Sequence, residues 1–266
     1  MANSAPANSA PIITLLTDFG LRDHFVAAMK GVMLSVNPEI QLVDISNLVP
    51  PQDIFTGAFT LSKSWSYFPP GTIHLAIVDP GVGARRKALA VQANAHYFVA
   101  PDNGILTYVF DEYPSFEAYE ITAEHYYRKP VSQTFHGRDI FAPIAAWISR
   151  GIPLQQVGVE LRDPFRLELP AIQKVKDALI QGQILAVDQF GNPITNVTPK
   201  DVPRPFKILA GKREVTSVYK TYAEGKPGEV FVVTGSTGYL EIAVKDGSAA
   251  AALEIKTGSP VGIIFV

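Results

Sequence analysis

The sequence predicts a chain in two parts: an α/β domain with a mostly parallel sheet over residues 12–165, and an all-β barrel over 181–266. Three observations lead there. Up to residue 149, short β-branched runs alternate with segments of helical period, the grammar of strands joined by crossover helices. Several of those runs stop at an acidic residue or a Pro/Gly corner, and in open α/β sheets the strand ends are where ligands bind. Beyond Asp163 the pattern changes to short strand-like segments separated by Gly and Pro turns, which fits a small antiparallel barrel.

Met1 to Ala10 repeats Ala, Asn, Ser and Pro, too little apolar surface to order itself, so residues 1–11 read as a flexible tail. Ile12–Leu16 is a first strand, ending in Thr17-Asp18-Phe19-Gly20. Asp23 is placed to cap a helix whose apolar positions Phe25, Val26, Met29, Val32, Met33 and Val36 recur at three and four residues, and Pro38 stops it. Leu42–Ile45 is a second strand, carrying Asp44. A helix is expected from about Asp53 to Trp65, then a strand over Leu75–Val78 that Pro80 terminates, leaving Asp79 at its edge. The Gly81-Val82-Gly83 turn that follows can bring Arg86 back onto Asp79. Ala88–Val91 and Tyr97–Ala100 read as strands joined by the polar turn Gln92–His96. Pro101-Asp102-Asn103-Gly104 is a further corner, before a short helix over Ile105–Phe110 and a strand over Phe116–Ile121. A helix runs to about Ser149 and Gly151 ends it. Prolines 164 and 170 mark a linker, set at 166–180. Barrel strands are expected at Ile184–Val187, Phe206–Leu209, Val230–Val233, Tyr239–Ala243 and Val261–Val266.

Composition excludes several classes of function. A net charge of -2 without a Lys/Arg cluster argues against nucleic acid. No apolar run approaches the ~20 residues of a membrane span and the start lacks a signal-like region, so a cytoplasmic protein is expected. With no cysteine there is no disulfide, thiolate metal site or cysteine nucleophile. P-loop, GxGxxG, HExxH and Gly-x-Ser-x-Gly motifs are all missing.

Three features could carry chemistry. Asp18, Asp44 and Asp79 stand at or near strand ends, where a carboxylate can accept from sugar hydroxyls, bind a metal or simply cap a turn. His136 lies in the polar loop Thr134-Phe135-His136-Gly137-Arg138-Asp139, and an ordinary pKa near ~6.5 suits histidine to proton handling. Asp188 and Asn192, in Asp188-Gln189-Phe190-Gly191-Asn192, follow a strand of the second part; such a turn is common for backbone reasons, yet it could also recognise an ammonium group and a purine edge.

TDFG at 17–20, VDPGVGARR at 78–86, APDNGIL at 100–106, FHGRDIFAP at 135–143, DQFGN at 188–192 and GSTGYLEIA at 235–243 together resemble the S-adenosyl-L-methionine (SAM) hydroxide adenosyltransferases. These are adenosine-forming SAM hydrolases related to the fluorinase and chlorinase, and the resemblance runs from about Ile12 to Val266. It implies attack of water on the ribose C5′ of SAM, giving adenosine and L-methionine, with no metal and no cofactor, SAM being the substrate. It maps a catalytic trio onto Asp79, Arg86 and His136. Water must be positioned in line with the C–S bond and bulk solvent excluded, and Asp79 held by Arg86 near His136 fits that need. An arginine partner suits a carboxylate to orienting water more than to taking its proton, so the division of roles stays open. The resemblance further assigns Asp18 to the ribose hydroxyls, Asp188 to the methionine ammonium and Asn192 to adenine. Ser236, Tyr239, Glu241 and Val244 fall in its remaining ligand stretch. It also implies a homotrimer, with each active site between the α/β domain of one subunit and the barrel of the next.

The fluorinase has Tyr at the place of Asp79, a long insertion where this chain has only Gln92–His96, Trp at Gln52 and Ser at Gly137. Each departure favours water over halide. Two other classes of function compete. A metal-dependent hydrolase could use Asp18, Asp79, His136 and Asp139, although Arg86 and Arg138 would put positive charge beside the ion. A non-catalytic SAM or adenosine sensor needs the binding residues but not the trio.

Overall fold

A computed structural model describes residues 10–203 and 205–265. Residues 1–9 of the expected tail and the last residue of the expected final strand, Val266, lie outside the described residues. The chain divides into two compact units after Leu167.

The first unit is built on a seven-stranded sheet. Its elements in order are β1 (Ile12–Thr17), α1 (Phe25–Val36), β2 (Gln41–Ser46), α2 (Ile54–Ser62), β3 (Ile73–Ile77), β4 (Ala88–Ala93), β5 (His96–Pro101), α3 (Thr107–Glu112), β6 (Phe116–Ile121), α4 (Ala142–Ser149), α5 (Leu154–Val157) and β7 (Gly158–Glu160). The strand order is β2-β1-β3-β5-β4-β6-β7. β2, β1, β3 and β5 pair in parallel, whereas β4 pairs antiparallel with both β5 and β6, and β6 antiparallel with β7. The sheet is therefore mixed, and the expectation of a mostly parallel one is corrected. The cause is local: Asn94 and Ala95, at φ 46° and 61°, close a two-residue hairpin between β4 and β5, and so short a link joins only antiparallel strands.

Alternation along the strands explains the layers. Ile13, Leu15, Ile73, Leu75 and Ile77 pack with Val26, Met29 and Met33 of α1 and Ile144, Ala145 and Ile148 of α4. Leu16, Ala76, Val78, Leu89 and Val91 pack on the other face with Ala58 and Leu61 of α2 and Val109 and Phe110 of α3. A sheet covered on both faces buries successive positions, which is why every residue of β3 is buried and all but His74 are apolar. Asp53 caps α2, accepting from the Thr56 backbone N–H at 2.9 Å. Asp23 does not cap α1: His24 occupies the N-cap, without a side-chain bond.

The second unit is an antiparallel sheet of eight strands: β8 (Gln173–Lys176), β9 (Leu179–Val187), β10 (Pro193–Thr195), β11 (Phe206–Ala210), β12 (Arg213–Val215), β13 (Val230–Thr234), β14 (Leu240–Val244) and β15 (Pro260–Phe265), with the short helix α6 (Ala249–Leu253). The order is β12-β11-β15-β9-β10-β14-β13, and β8 adds to β9. A bridge from Val218 to Val232 brings the chain just past β12 against β13, so the sheet curls nearly into a barrel. Ile184, Val197, Ile208, Val232, Ile242 and Ile263 fill its interior.

Candidate active site

β1 and β3 run side by side in parallel and end together, Thr17 opposite Ile77. The residues just beyond, Asp18 and the Val78-Asp79 pair, are thereby delivered to one edge of the sheet. Asp44 is not: it pairs with Leu15 inside β2, is partly exposed, and forms an ion pair with Lys30 of α1 at 2.7 Å. The register of β2 thus removes it from the crevice that three strand-end acids would have shared.

Asp79 and Arg86 form a bidentate ion pair. The Arg86 Nε donates to Oδ1 and Oδ2 at 3.0 Å each, and Nη2 donates to Oδ2 at 2.5 Å. Their side chains are only 5% and 12% exposed, so the pair is little screened by water. The same Nη2 lies 3.0 Å from His136 Nδ1. Arginine has no acceptor, so Nδ1 must accept, and His136 is neutral with its proton on Nε2. Burial and the Arg86 charge hold the His136 pKa below its usual value, in agreement with that state. Arg86 also lies over the Phe141 ring, 5.0 Å from its centroid.

Two loops make this geometry. In the first, Asn103 Nδ2 donates to the Val78 carbonyl at 2.8 Å and ties down the residue before Asp79. Gly83 is at φ +78°, and a Cβ there would stand 2.5 Å from the Gln133 carbonyl oxygen, so the loop after Asp79 lies directly on the segment before His136. In the second, the chain turns through a single π-helical turn at Gly137–Phe141, with the Ala142 N–H donating to the Gly137 carbonyl. Asp79 and His136 face a cavity of about 140 Å³, otherwise walled by Phe19, Phe25, Ile77, Val82, Thr134, Phe135 and Gly137. Phe135 meets Phe19 and Phe25 edge-on. The result is a small, largely apolar chamber with a carboxylate and an imidazole on its wall, suited to orienting a water between them while keeping bulk solvent away from a reacting carbon. Asp18 accepts from the Gln52 backbone N–H at 2.8 Å, and Gln52 itself adopts φ 66°.

Asp139 belongs to neither cavity wall nor trio. Arg138, Arg128 and the Ser132 backbone N–H occupy its oxygens. Two guanidinium groups beside a carboxylate repel a cation, which removes the physical basis for its use as a metal ligand. Among the described residues no three His, Cys, Asp or Glu side chains are placed to hold a metal ion.

The second unit carries its own cavity, open and of about 900 Å³, lined by Asp188, Asn192, Ser236, Glu241 and Val244 of the sequence-derived set. Tyr239 does not line it; burial and the Asp201 charge raise its hydroxyl pKa. Asp188 accepts from the Phe190 and Asn192 backbone N–H groups at 2.9 and 2.7 Å and from Asn192 Nδ2 at 3.0 Å, an arrangement that fixes the turn after β9. Glu241 is 4% exposed and accepts from the Tyr222 hydroxyl at 2.5 Å. Its carboxyl pKa is raised, by burial first and by the Asp188 charge as well, with the Tyr222 bond opposing. Its carboxylate crowds the Gly235 backbone so closely that a side chain there would overlap it. With Asp188, Glu241 and Asp246 set against Lys245, the lining matches a cationic ligand.

Several site residues escape a reading of motifs. Tyr222 stands 19 positions from Glu241 and carries no local signal beyond the Thr221–Glu224 capping box around its turn. Phe25 looks like an ordinary helix residue. Phe19 and Phe135 lie inside quoted motifs, and only their shared cavity shows that they form its wall.

The model of the SAM hydroxide adenosyltransferase N-terminal domain matches residues 13–158, and that of the corresponding C-terminal domain matches 182–262. A protein of Salinispora tropica named (R)-S-adenosyl-L-methionine hydrolase is 37% identical over 254 residues, covering 93% of this chain and 95% of its own. One of the same name from Thermus thermophilus is 36% identical over 95% of this chain and 99% of its own. A fluorinase of Actinoplanes is more distant, at 28% over 97% and 99%. The crystal structure of an uncharacterized conserved protein from Thermotoga maritima superposes with a TM-score of 0.88 at 37% identity, covering 95% of this chain and 99% of that one. No helix among the described residues is long and apolar enough to cross a membrane.

Proposed function

The chain belongs to the SAM hydroxide adenosyltransferase family, and from that membership and the site geometry we propose that it hydrolyses S-adenosyl-L-methionine to adenosine and L-methionine. The observation that carries the reading is the Asp79–Arg86–His136 trio, in which Arg86 holds both partners and Asp79 and His136 face a small apolar chamber. Water attacks C5′, the C5′–S bond breaks with its electron pair passing to sulfur, and the sulfonium charge is cancelled. The water's proton must leave. Asp79 Oδ1, which shares only the Nε contact while Oδ2 takes two donors, is the oxygen with acceptor capacity to orient the water and receive its proton. His136, whose Nδ1 accepts from Arg86, presents Nε2–H as a donor that holds the same water. Sulfonium is already a good leaving group, so positioning and exclusion of bulk water supply most of the acceleration.

Asp18 is proposed to accept from the ribose hydroxyls, Asp188 to hold the methionine ammonium and Asn192 to read adenine. Ser236, Glu241 and Val244, which line the same cavity, complete the ligand environment. The acidic lining of the second cavity supports the binding of a substrate with two cationic centres. A homotrimer whose neighbouring subunits share each site, a reaction that needs neither metal nor cofactor, and a cytoplasmic location belong to the same proposal.

The purified full chain is to be incubated with SAM in EDTA, with and without chloride or fluoride, and the products identified by chromatography and mass. Adenosine and methionine regardless of halide are expected. Halogenated nucleoside would point to a halogenase, dependence on added metal would reject the mechanism, and intact SAM with bound ligand would make the protein a sensor. Light scattering giving three subunits per particle is the expected mass; a monomer would reject shared sites.

A further inference from the structure

The loop that supplies His136 is anchored by a charge that has no part in the proposed chemistry. The Asp139 side chain has no exposed surface and lies within the π-helical turn. A carboxylate so placed is tolerated only when fully bonded. Arg138 donates through Nε to Oδ1 at 2.7 Å and through Nη2 to Oδ2 at 2.8 Å. Arg128 Nη1 donates to Oδ1 at 3.1 Å and the Ser132 backbone N–H to Oδ2 at 2.9 Å. Burial would raise the Asp139 pKa, but these bonds prevail and hold it below the usual value. The Arg128 backbone N–H also donates to the Asp139 carbonyl at 2.9 Å.

Between the two ends of this anchor, Ser132 and Asp139, lie Thr134, Phe135, His136 and Gly137, all of them cavity wall. Arg138 lies over the Phe135 ring at 5.1 Å, so the guanidinium that satisfies Asp139 also pins the aromatic wall. A π-helical turn is rare and persists only where its surroundings favour it. Here it begins one residue after His136 and sets the direction in which the imidazole leaves the backbone.

We infer that Asp139 is the positioning residue for His136: by closing the 132–139 loop on itself it fixes the turn, and with it the place of the imidazole against Arg86 and the cavity wall. It touches none of the reacting atoms and acts through Arg138 and the Ser132 backbone. The kinetic part of this inference rests on the proposed SAM hydrolysis; the structural part does not.

Asp139→Asn keeps the shape of the side chain but removes its charge and sets an amide N–H₂ against guanidinium donors. Arg128→Lys is the milder variant, leaving both Arg138 bonds and the Ser132 bond in place. Asp44→Asn repeats the charge change at the sheet edge, away from the site. In Asp139→Asn, kcat is expected to fall at least about tenfold with KM changed less than about threefold, because misplacement of a reacting group acts on the chemical step. The His136 ring resonances, assigned by their loss in His136→Gln, should shift, and their pH midpoint should fall, since a negative charge favouring the imidazolium has gone. Arg128→Lys, which keeps both charges, should lower kcat and shift the His136 resonances by less while leaving their pH midpoint unchanged, and it decides the matter if Asp139→Asn does not fold. Asp44→Asn should match the wild type. Variants that melt earlier yet keep wild-type kcat and unshifted His136 resonances would overturn the inference, making Asp139 a purely structural anchor. If the wild type does not cleave SAM, the functional reading falls, and the His136 resonances still decide the positioning role.

Discussion

β3, the strand that delivers Asp79, carries a buried histidine whose titration should make the first unit acid-labile. His74 is fully buried, with Nδ1 2.8 Å from the Thr14 hydroxyl and Nε2 3.2 Å from His96 Nδ1. Burial, and secondarily His96, push its pKa from 6.5 down to about 3. Because the folded value is the depressed one, the stabilisation is complete above the unfolded value of 6.5 and is lost as pH falls towards 3. Between about pH 7.5 and about pH 5 the unfolded chain takes up most of one proton at this position and the folded chain almost none, a loss of about 2 kcal/mol. Urea unfolding at the two pH values, followed by tryptophan fluorescence, measures it, since Trp65 and Trp147 are the only tryptophans and both lie in the first unit. Other groups titrate over the same range, so the comparison is with His74→Gln, whose loss on acidification should be smaller by about 2 kcal/mol however far its stability is lowered overall. Equal losses in the two proteins would refute the reasoning and place the His74 proton in the folded state as well.

Asp79→Ala and Arg86→Ala should each reduce SAM turnover by roughly 10²- to 10⁴-fold while some ligand binding remains, as calorimetry with SAM can show; an unchanged rate in either rejects the mechanism. The wild-type rate should be level through neutral pH and fall only below the ordinary histidine value of 6.5, because the His136 pKa is lowered and protonation converts its Nδ1 from acceptor to a donor facing Arg86. A pH–rate profile with its acid limb above that value would contradict this. Gly83→Ala forces a side chain into a left-handed backbone position and against the Gln133 carbonyl. It should lower stability by at least about 1 kcal/mol and turnover along with it. A thermal melt and rate equal to those of the wild type would mean that the two loops do not need their close approach.

The parallel pairing of β1, β2 and β3 was legible because crossover helices leave a long-range mark in the sequence: β1 and β2 are each followed by an apolar helical period. The antiparallel half was not, since a hairpin such as β4–β5 says how two strands join but not where β6 and β7 then pair. Asp79 was legible for a covalent reason, the proline that stops its strand. Asp44 looked equivalent, yet a strand's register, not its composition, decides whether an acid reaches the edge. His136 stood out by its Gly and Arg neighbours, whereas the role of Asp139 depends on Arg128 and Ser132, 11 and 7 residues away, whose bonds no spacing rule anticipates. Tyr222 reaches Glu241 from the segment between β12 and β13, a contact that no motif spacing anticipates.

The sharing of one guanidinium between Asp79 and His136 has a consequence for how this site can change over generations. Among the described residues Arg86 is the only side chain bonded to both, so replacing it frees two neighbours together, and altering either neighbour leaves it with a donor to re-aim. Substitutions at the three positions will therefore not add, and a double-mutant cycle across any pair should show strong coupling. A lineage moving from water to another nucleophile could not adjust this trio by single, independently useful steps. It would have to pass through an intermediate in which the arginine has lost one partner and not yet gained another.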